Sequence, residues 1–193
     1  MAVRKRSWFK PVLKLARRRI NYFQLFNLPA KFDLDLTELG SRYLKLQKQF
    51  HPDQHSSGSE RDRLLAVQQT ANINDAYHSL KQPLLRAEHL LALRGLKISH
   101  EQRSFTDPMF LMQQMELREQ LAEIDLSDDP DSVIDEIDRQ LQQQKKQLLQ
   151  QLSAALDAEN AEQDQLAADL IRKLKFFYKL QQELELIEQQ LQD

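Results

Sequence analysis

The chain has 193 residues, no cysteine, three Gly, six Pro and a formal net charge of −2 at pH 7. The absence of cysteine excludes disulfides, thiolate metal sites and cysteine nucleophiles, and it fits a reducing, cytoplasmic setting. Few glycines and many Gln, Leu, Glu, Lys and Ala favour helix over the tight turns of a β protein, and no apolar run approaches the roughly 20 residues needed to span a bilayer.

Charge is unevenly spread. Residues 1–20 hold eight basic side chains (Arg4, Lys5, Arg6, Lys10, Lys14, Arg17, Arg18 and Arg19) and no acidic one. The remaining 19 basic residues face 29 acidic ones, a net of −10. An acidic body argues against nucleic acid as the principal partner, because phosphate binding needs clustered cations. Lys10, Pro11 and Lys14 interrupt any apolar signal-peptide core after Trp8 and Phe9. Residues 1–20 therefore read as a basic, solvated extension, or as the product of a start codon upstream of the true one.

Residues 21–29, Asn-Tyr-Phe-Gln-Leu-Phe-Asn-Leu-Pro, predict about one helical turn that docks its aromatic side chains and stops at Pro29. Asp33 or Asp35 is placed to cap the next helix. Leu36, Leu39, Tyr43, Leu46 and Phe50 recur at spacings of three and four and define a buried stripe. Arg42, Lys45 and Lys48 lie on a second, basic face. Pro52 ends this helix and holds His51 and Asp53 at a turn. Ser59 opens a second long helix, with Asp62 at the position of a capping box. Ala66, Thr70, Ile73, Tyr77 and Leu80 form its stripe, so the two helices predict an antiparallel hairpin. Pro83 suits the first turn of a further helix over 84–94, with Gly95 past its end.

Residues 96–107 read as a linker. Asp107-Pro108 starts a helix as N-cap and first position, with Phe110, Leu117, Leu121 and Ile124 facing a core. Asp129-Pro130 or Asp131 starts the next, which runs to about Leu156. Its stripe is Ile134, Ile137, Leu141, Leu148, Leu152 and Ala155, with Gln144 in the gap. A last helix runs from about Asp164, with Leu170, Leu174, Phe177, Leu180, Leu184, Ile187 and Leu191 as its seam. Three amphipathic helices on short loops predict an up-down-up bundle.

Catalytic signatures are nearly absent: there is no phosphate-cradling glycine loop, nucleophile elbow or HExxH. His51 and His55 have the i, i+4 spacing of a helical metal pair, but Pro52 breaks the helix between them and no further ligands follow. The expectation is a non-enzyme without metal or cofactor. Two surfaces remain. One is Arg42, Lys45 and Lys48 beside His51-Pro52-Asp53, suited to an acidic protein partner. The other lies on helix 108–124, where Leu111, Met112 and Met115 adjoin Glu116, Glu119 and Glu123. Methionine adapts to irregular partners. The competing reading buries Leu111 and Met115 in a broad core stripe. Phe176, beside Phe177, is either a second-layer core residue or a contact.

Residues 21–95 resemble a J-domain. The resemblance is carried by Tyr22-Phe23-x-Leu25-Phe26-x-Leu28-Pro29, the basic helix, His51-Pro52-Asp53 and Ile73-Asn74-x-Ala76-Tyr77-x-x-Leu80. Pro83-Leu84-x-Arg86-Ala87-Glu88, residues 110–119 and Arg172-Lys173-Leu174-Lys175-Phe176 extend it to the HscB family of J-type co-chaperones of iron–sulfur cluster assembly. The resemblance covers about residues 21–193. It implies an all-α architecture, a J-domain (an antiparallel helical hairpin with short flanking helices) at 21–95 and a three-helix bundle at 108–193. It also implies two partners: the DnaK-class chaperone HscA, whose ATP hydrolysis the J-domain would stimulate, and the scaffold IscU, which the bundle would bind and deliver. The chaperone-contacting positions of the family fall on Arg42, Lys45, Lys48, His51, Pro52 and Asp53. The scaffold-contacting positions fall on Leu111, Met112, Met115, Glu116, Glu119, Glu123 and Phe176. Gln54 departs from the Lys or Arg of many J-domains, and residues 1–20 have no counterpart in the pattern. The alternative is a J-domain adaptor with a different client. A third reading makes the basic extension a tether to an anionic surface, membrane or RNA.

Overall fold

The computed structural model describes residues 20–50, 59–96, 98 and 107–192, and all regular structure among them is helical. The chain divides into two compact units, residues 1–95 and 96–193.

The first unit begins with α1 (Tyr22–Leu25), whose N-cap Asn21 accepts hydrogen bonds from the N–H groups of Phe23 and Gln24. Asn27 then takes a left-handed conformation, φ 53°. The Asn27 N–H bonds Gln24 O, and the Leu28 N–H bonds Phe23 O at 2.8 Å. This is a Schellman-type stop, and asparagine is one of the few residues that enter it at low cost. Phe23 and Phe26 are buried.

Asp35 is the residue that caps α2 (Leu36–Phe50), accepting from Thr37 N–H at 2.8 Å and Glu38 N–H at 3.1 Å. The full capping box of Ser59 and Asp62 opens α3 (Glu60–Lys81). The α2/α3 hairpin closes on Leu39, Ala66, Ile73, Ala76 and Leu80, all buried. The Tyr43 and Tyr77 rings stack across it at 4.1 Å. Of the expected α2 stripe, Leu39 is buried, Tyr43, Leu46 and Phe50 are half-buried, and Leu36, in the first turn, is 49% exposed.

Pro83 is the first residue of α4 (Pro83–Leu93), and Gly95 follows it with φ 92°. Arg86, on α4, is buried. Its Nε donates to Phe32 O at 2.7 Å and its Nη1 to Leu80 O at 2.6 Å. The guanidinium also lies over the Phe32 ring, 5.0 Å from the centroid. One side chain therefore caps the end of α3 and pins the α1–α2 connection. Burial lowers the Arg86 pKa, opposed by the charge of Asp33.

The second unit contains α5 (Pro108–Ala122), a 3₁₀ turn at Ile124–Leu126, α6 (Pro130–Asp157) and α7 (Ala161–Gln192). Asp107 and Asp129 are the N-caps of α5 and α6, each followed by Pro. Asn160 serves α7, its Oδ1 accepting from Gln163 N–H at 2.9 Å, so this helix starts three residues before Asp164. The α6 and α7 seams interlock through Leu141, Leu148, Leu152, Leu174, Phe177 and Leu180, all buried. Ala167, Ala168 and Ile171 are buried too, and Leu191 is 44% exposed. The seam is thus broader in its first half than the sequence spacing implies and ends before the C-terminal turn.

The gap in the α6 stripe is filled by Lys145, which is buried, while Gln144 is only half-buried. Lys145 Nζ donates to Gln181 Oε1 at 3.1 Å and lies 5.4 Å from the centre of the Tyr178 ring. Its long stem packs in the seam while its ammonium meets polar partners on α7. Burial lowers its pKa, with Asp138 and Glu185 opposing. Gln144 could not reach this position because it is displaced by 100° around the helix.

Candidate functional sites: a basic helix end and an exposed apolar patch

The basic face of α2 holds three cations in different situations. Lys45 and Lys48 are exposed. Arg42 is half-buried and turned back into its own unit: Nη1 donates to Phe26 O at 2.8 Å and to Asn27 O, and Nη2 pairs with Glu38 one turn earlier. Those carbonyls are the free C-terminal acceptors of α1, which a cation suits through both hydrogen bonding and helix dipole. The sequence spacing places Arg42 with Lys45 and Lys48. The fold engages it in holding α1 to α2.

At the end of α2, Thr70 Oγ1 on the opposing helix donates to Phe50 O at 3.0 Å. The chain thus leaves α2 from an anchored carbonyl and resumes at the Ser59 cap. The expected turn at His51-Pro52-Asp53, with Gln54 and His55, lies outside the described residues. Among the described residues, no group of three or more His, Asp or Glu is arranged to hold a metal ion.

The second site is built on α5. Its buried side chains are Phe110, Leu117 and Leu121, and on the opposite side Leu111 is 38%, Met112 58% and Met115 63% exposed. The broad buried stripe that would absorb Leu111 and Met115 is therefore not what forms. Glu116, Glu119 and Glu123 are exposed along the same helix. Large apolar side chains grouped in water cost free energy unless a partner covers them, at about 25 cal/mol per Å².

Phe176 belongs to α7 and is half-buried. Its ring meets Phe110 edge-on at 5.6 Å and Phe177 at 5.5 Å, and the Arg118 guanidinium lies 5.9 Å from its centre. Phe176 thus packs one edge on the core and leaves the rest accessible. The structure brings Phe176 on α7 to Phe110 on α5, adjacent in sequence to Leu111.

Two contributors to this site escaped the sequence reading. Lys173, one turn before Phe176, bonds Asp107 Oδ2 at 2.7 Å and lies 4.9 Å from the centre of the Phe110 ring. Arg118 adjoins Phe176 from α5. In the sequence Lys173 stands within the Arg172–Phe176 stretch that carries the family resemblance and as an i, i+3 neighbour of Phe176, and neither signal selects Asp107 as its partner. Beyond Glu123, an open groove of about 640 Å³ separates the end of α5 from the start of α6, with Leu126, Val133 and Glu136 among its lining residues. Two of its carboxylates are held by local partners: Asp129 accepts from the Ser132 N–H, and Glu136 pairs with Arg139. It carries no converging acid, base and nucleophile.

Known proteins share this architecture. Residues 106–185 match the family described as the HSCB C-terminal oligomerisation domain. The co-chaperone protein HscB homolog of Shewanella baltica (strain OS223) is 48% identical over 174 residues, which are 90% of this chain and all of that protein. The solved structure of the chaperone HscB from Vibrio cholerae superposes with a TM-score of 0.78 at 48% identity, covering 89% of this chain and 99% of that one. Human co-chaperone HscB superposes with a TM-score of 0.81 at 27% identity, covering 89% and 83% respectively. With near-half identity over almost the full length and the same two helical units, the chain belongs to the HscB family of co-chaperones.

Proposed function

We propose that the chain is a two-ended adaptor in iron–sulfur protein maturation, binding the scaffold IscU through its bundle and presenting it to the DnaK-class chaperone HscA. Lys45, Lys48 and the His51-Pro52-Asp53 turn engage HscA and stimulate its ATP hydrolysis. Arg42 contributes at the same end chiefly by seating α1 against α2. Leu111, Met112, Met115 and Phe176 provide the apolar grip on IscU, and Glu116, Glu119 and Glu123 select basic groups on it. The hydrolytic chemistry belongs to HscA, so the adaptor needs no catalytic residues, metal or cofactor of its own. Engaging both partners at once raises the effective concentration of IscU at HscA.

The observation that carries this reading is the exposure of Leu111, Met112 and Met115 beside Phe176, in a chain of co-chaperone family. The test is HscA ATPase activity with and without IscU. Asp53→Asn is expected to remove stimulation while IscU binding persists, and Leu111→Ala with Phe176→Ala to weaken IscU binding. Full stimulation by the first variant, or undiminished affinity in a folded second variant, overturns the assignment of that end. Recovery of a different protein in place of IscU supports an adaptor with another client.

A further inference from the structure

The apolar patch is divided between two helices. Leu111, Met112 and Met115 stand on α5, and Phe176 stands on α7. A partner that uses all four needs the start of α5 held at a fixed place on α7. The physical question is which contacts set that place.

Four contacts converge there. Asp107 is the N-cap of α5, accepting from Phe110 N–H at 3.3 Å through Oδ1. Its other oxygen, Oδ2, receives Lys173 Nζ at 2.7 Å. The same ammonium lies 4.9 Å from the centre of the Phe110 ring, and that ring meets Phe176 edge-on. The Asp107 carboxylate therefore fixes the first turn of α5 with one oxygen and attaches it to α7 with the other. Lys173 is 25% and Asp107 43% exposed, so the pair is partly shielded, unlike a fully solvated surface bridge. Arg118 supplies a second link, from the third turn of α5 to Phe176.

We propose that Asp107 and Lys173 are positioning residues for the partner-binding patch, acting as a latch that aligns Leu111, Met112 and Met115 on α5 with Phe176 on α7. This rests on the patch being a partner site, as proposed above. Neither residue need touch the partner. Their effect is to present the four apolar side chains already aligned, which removes an ordering cost from binding.

The test measures two quantities on the full chain. One is affinity for purified IscU. The other is amide hydrogen exchange at residues 110–115, which needs no partner. Lys173→Met keeps the aliphatic stem over Phe110 but removes the charge, and Asp107→Asn keeps an N-capping side chain but removes the carboxylate. Each is expected to weaken IscU binding about fivefold and to speed exchange at 110–115, with overall helicity unchanged. Lys173→Arg should retain affinity within about twofold, which simple loss of packing would not predict. Lys179→Met, removing an exposed cation paired with Glu183 on the same helix, controls for net charge. The native chain's affinity should also fall with added salt more steeply than that of Lys173→Met. Native-like affinity in Lys173→Met overturns the latch while leaving the patch assignment standing. Failure of the native chain to bind IscU removes the patch assignment instead. The exchange data then decide the latch: unchanged protection at 110–115 in both variants refutes it, and faster exchange supports it.

Discussion

Arg86 offers the sharpest test of how the N-terminal unit is held together. Its guanidinium gives two short hydrogen bonds to backbone carbonyls, Phe32 O at 2.7 Å and Leu80 O at 2.6 Å. The acceptors come from the α1–α2 connection and the end of α3, and both bonds are buried. Hydrogen bonds from a charged donor contribute about 1.5–3 kcal/mol each, and stranding a buried acceptor costs its desolvation. Removing the guanidinium also relieves its own burial penalty, which offsets part of the loss. Arg86→Met, which keeps a stem over the Phe32 ring, is therefore expected to cost about 3–4 kcal/mol. A domain of this size has roughly 4–11 kcal/mol in total, so the loss is about a quarter of it or more. The midpoint of thermal unfolding should fall by more than about 12 °C. Amide hydrogen exchange at Phe23, Leu39 and Leu80 should report the change, while Leu141 and Leu152 in the bundle keep their protection. Arg86→Lys should recover little, because one ammonium cannot serve two carbonyls in fixed directions as a guanidinium fork does. A cost below about 1 kcal/mol, or full recovery by lysine, refutes this account of the unit's assembly.

Two further outcomes are expected. Arg42→Met should destabilise the N-terminal unit by about 1–2 kcal/mol through loss of its bonds to α1, whereas Lys45→Met and Lys48→Met stay within about 0.5 kcal/mol; equal effects of the three in urea titration would return Arg42 to the solvated face. In the bundle, Asp107, Asp129 and Glu136 have pKa values lowered chiefly by side-chain hydrogen bonds from Lys173, Ser132 and Arg139 respectively. Each binds its proton more readily unfolded than folded, so its stabilisation is complete above the unfolded value and is lost as pH falls through the folded one. Bundle stability should accordingly hold above about pH 5 and decline below about pH 4. A midpoint independent of pH between 5 and 2.5 would show that these bonds add nothing to folding.

The sequence alone determined where most of the helices begin, because caps are local; the last helix, which starts on Asn160 rather than at Asp164, is the exception. Asn21, Asp35, Ser59, Asp107 and Asp129 each bond N–H groups two or three residues away. Pro83, Pro108 and Pro130 pre-set the first turns that follow, and Gly95 takes the positive φ past α4. The three- and four-residue spacings likewise named most of the core, since one face of a helix is defined by the helix itself. They left Leu111 and Met115 open between a broad core stripe and an exposed patch, and the tertiary structure exposes both. Only the tertiary structure decided the long polar side chains. Arg86 reaches a carbonyl 54 residues away, and Lys173 a carboxylate 66 residues away. Arg42 turns to the end of α1, and Lys145 rather than Gln144 enters the seam. Nothing in helical period distinguishes a solvated cation from one that anchors two segments. The choice depends on which unpaired oxygens the fold delivers within reach, and those come from distant parts of the chain. Phe176 shows the same dependence: its spacing left core and contact equally open, and the approach of Phe110 from α5 decided that one edge is packed while the rest stays accessible.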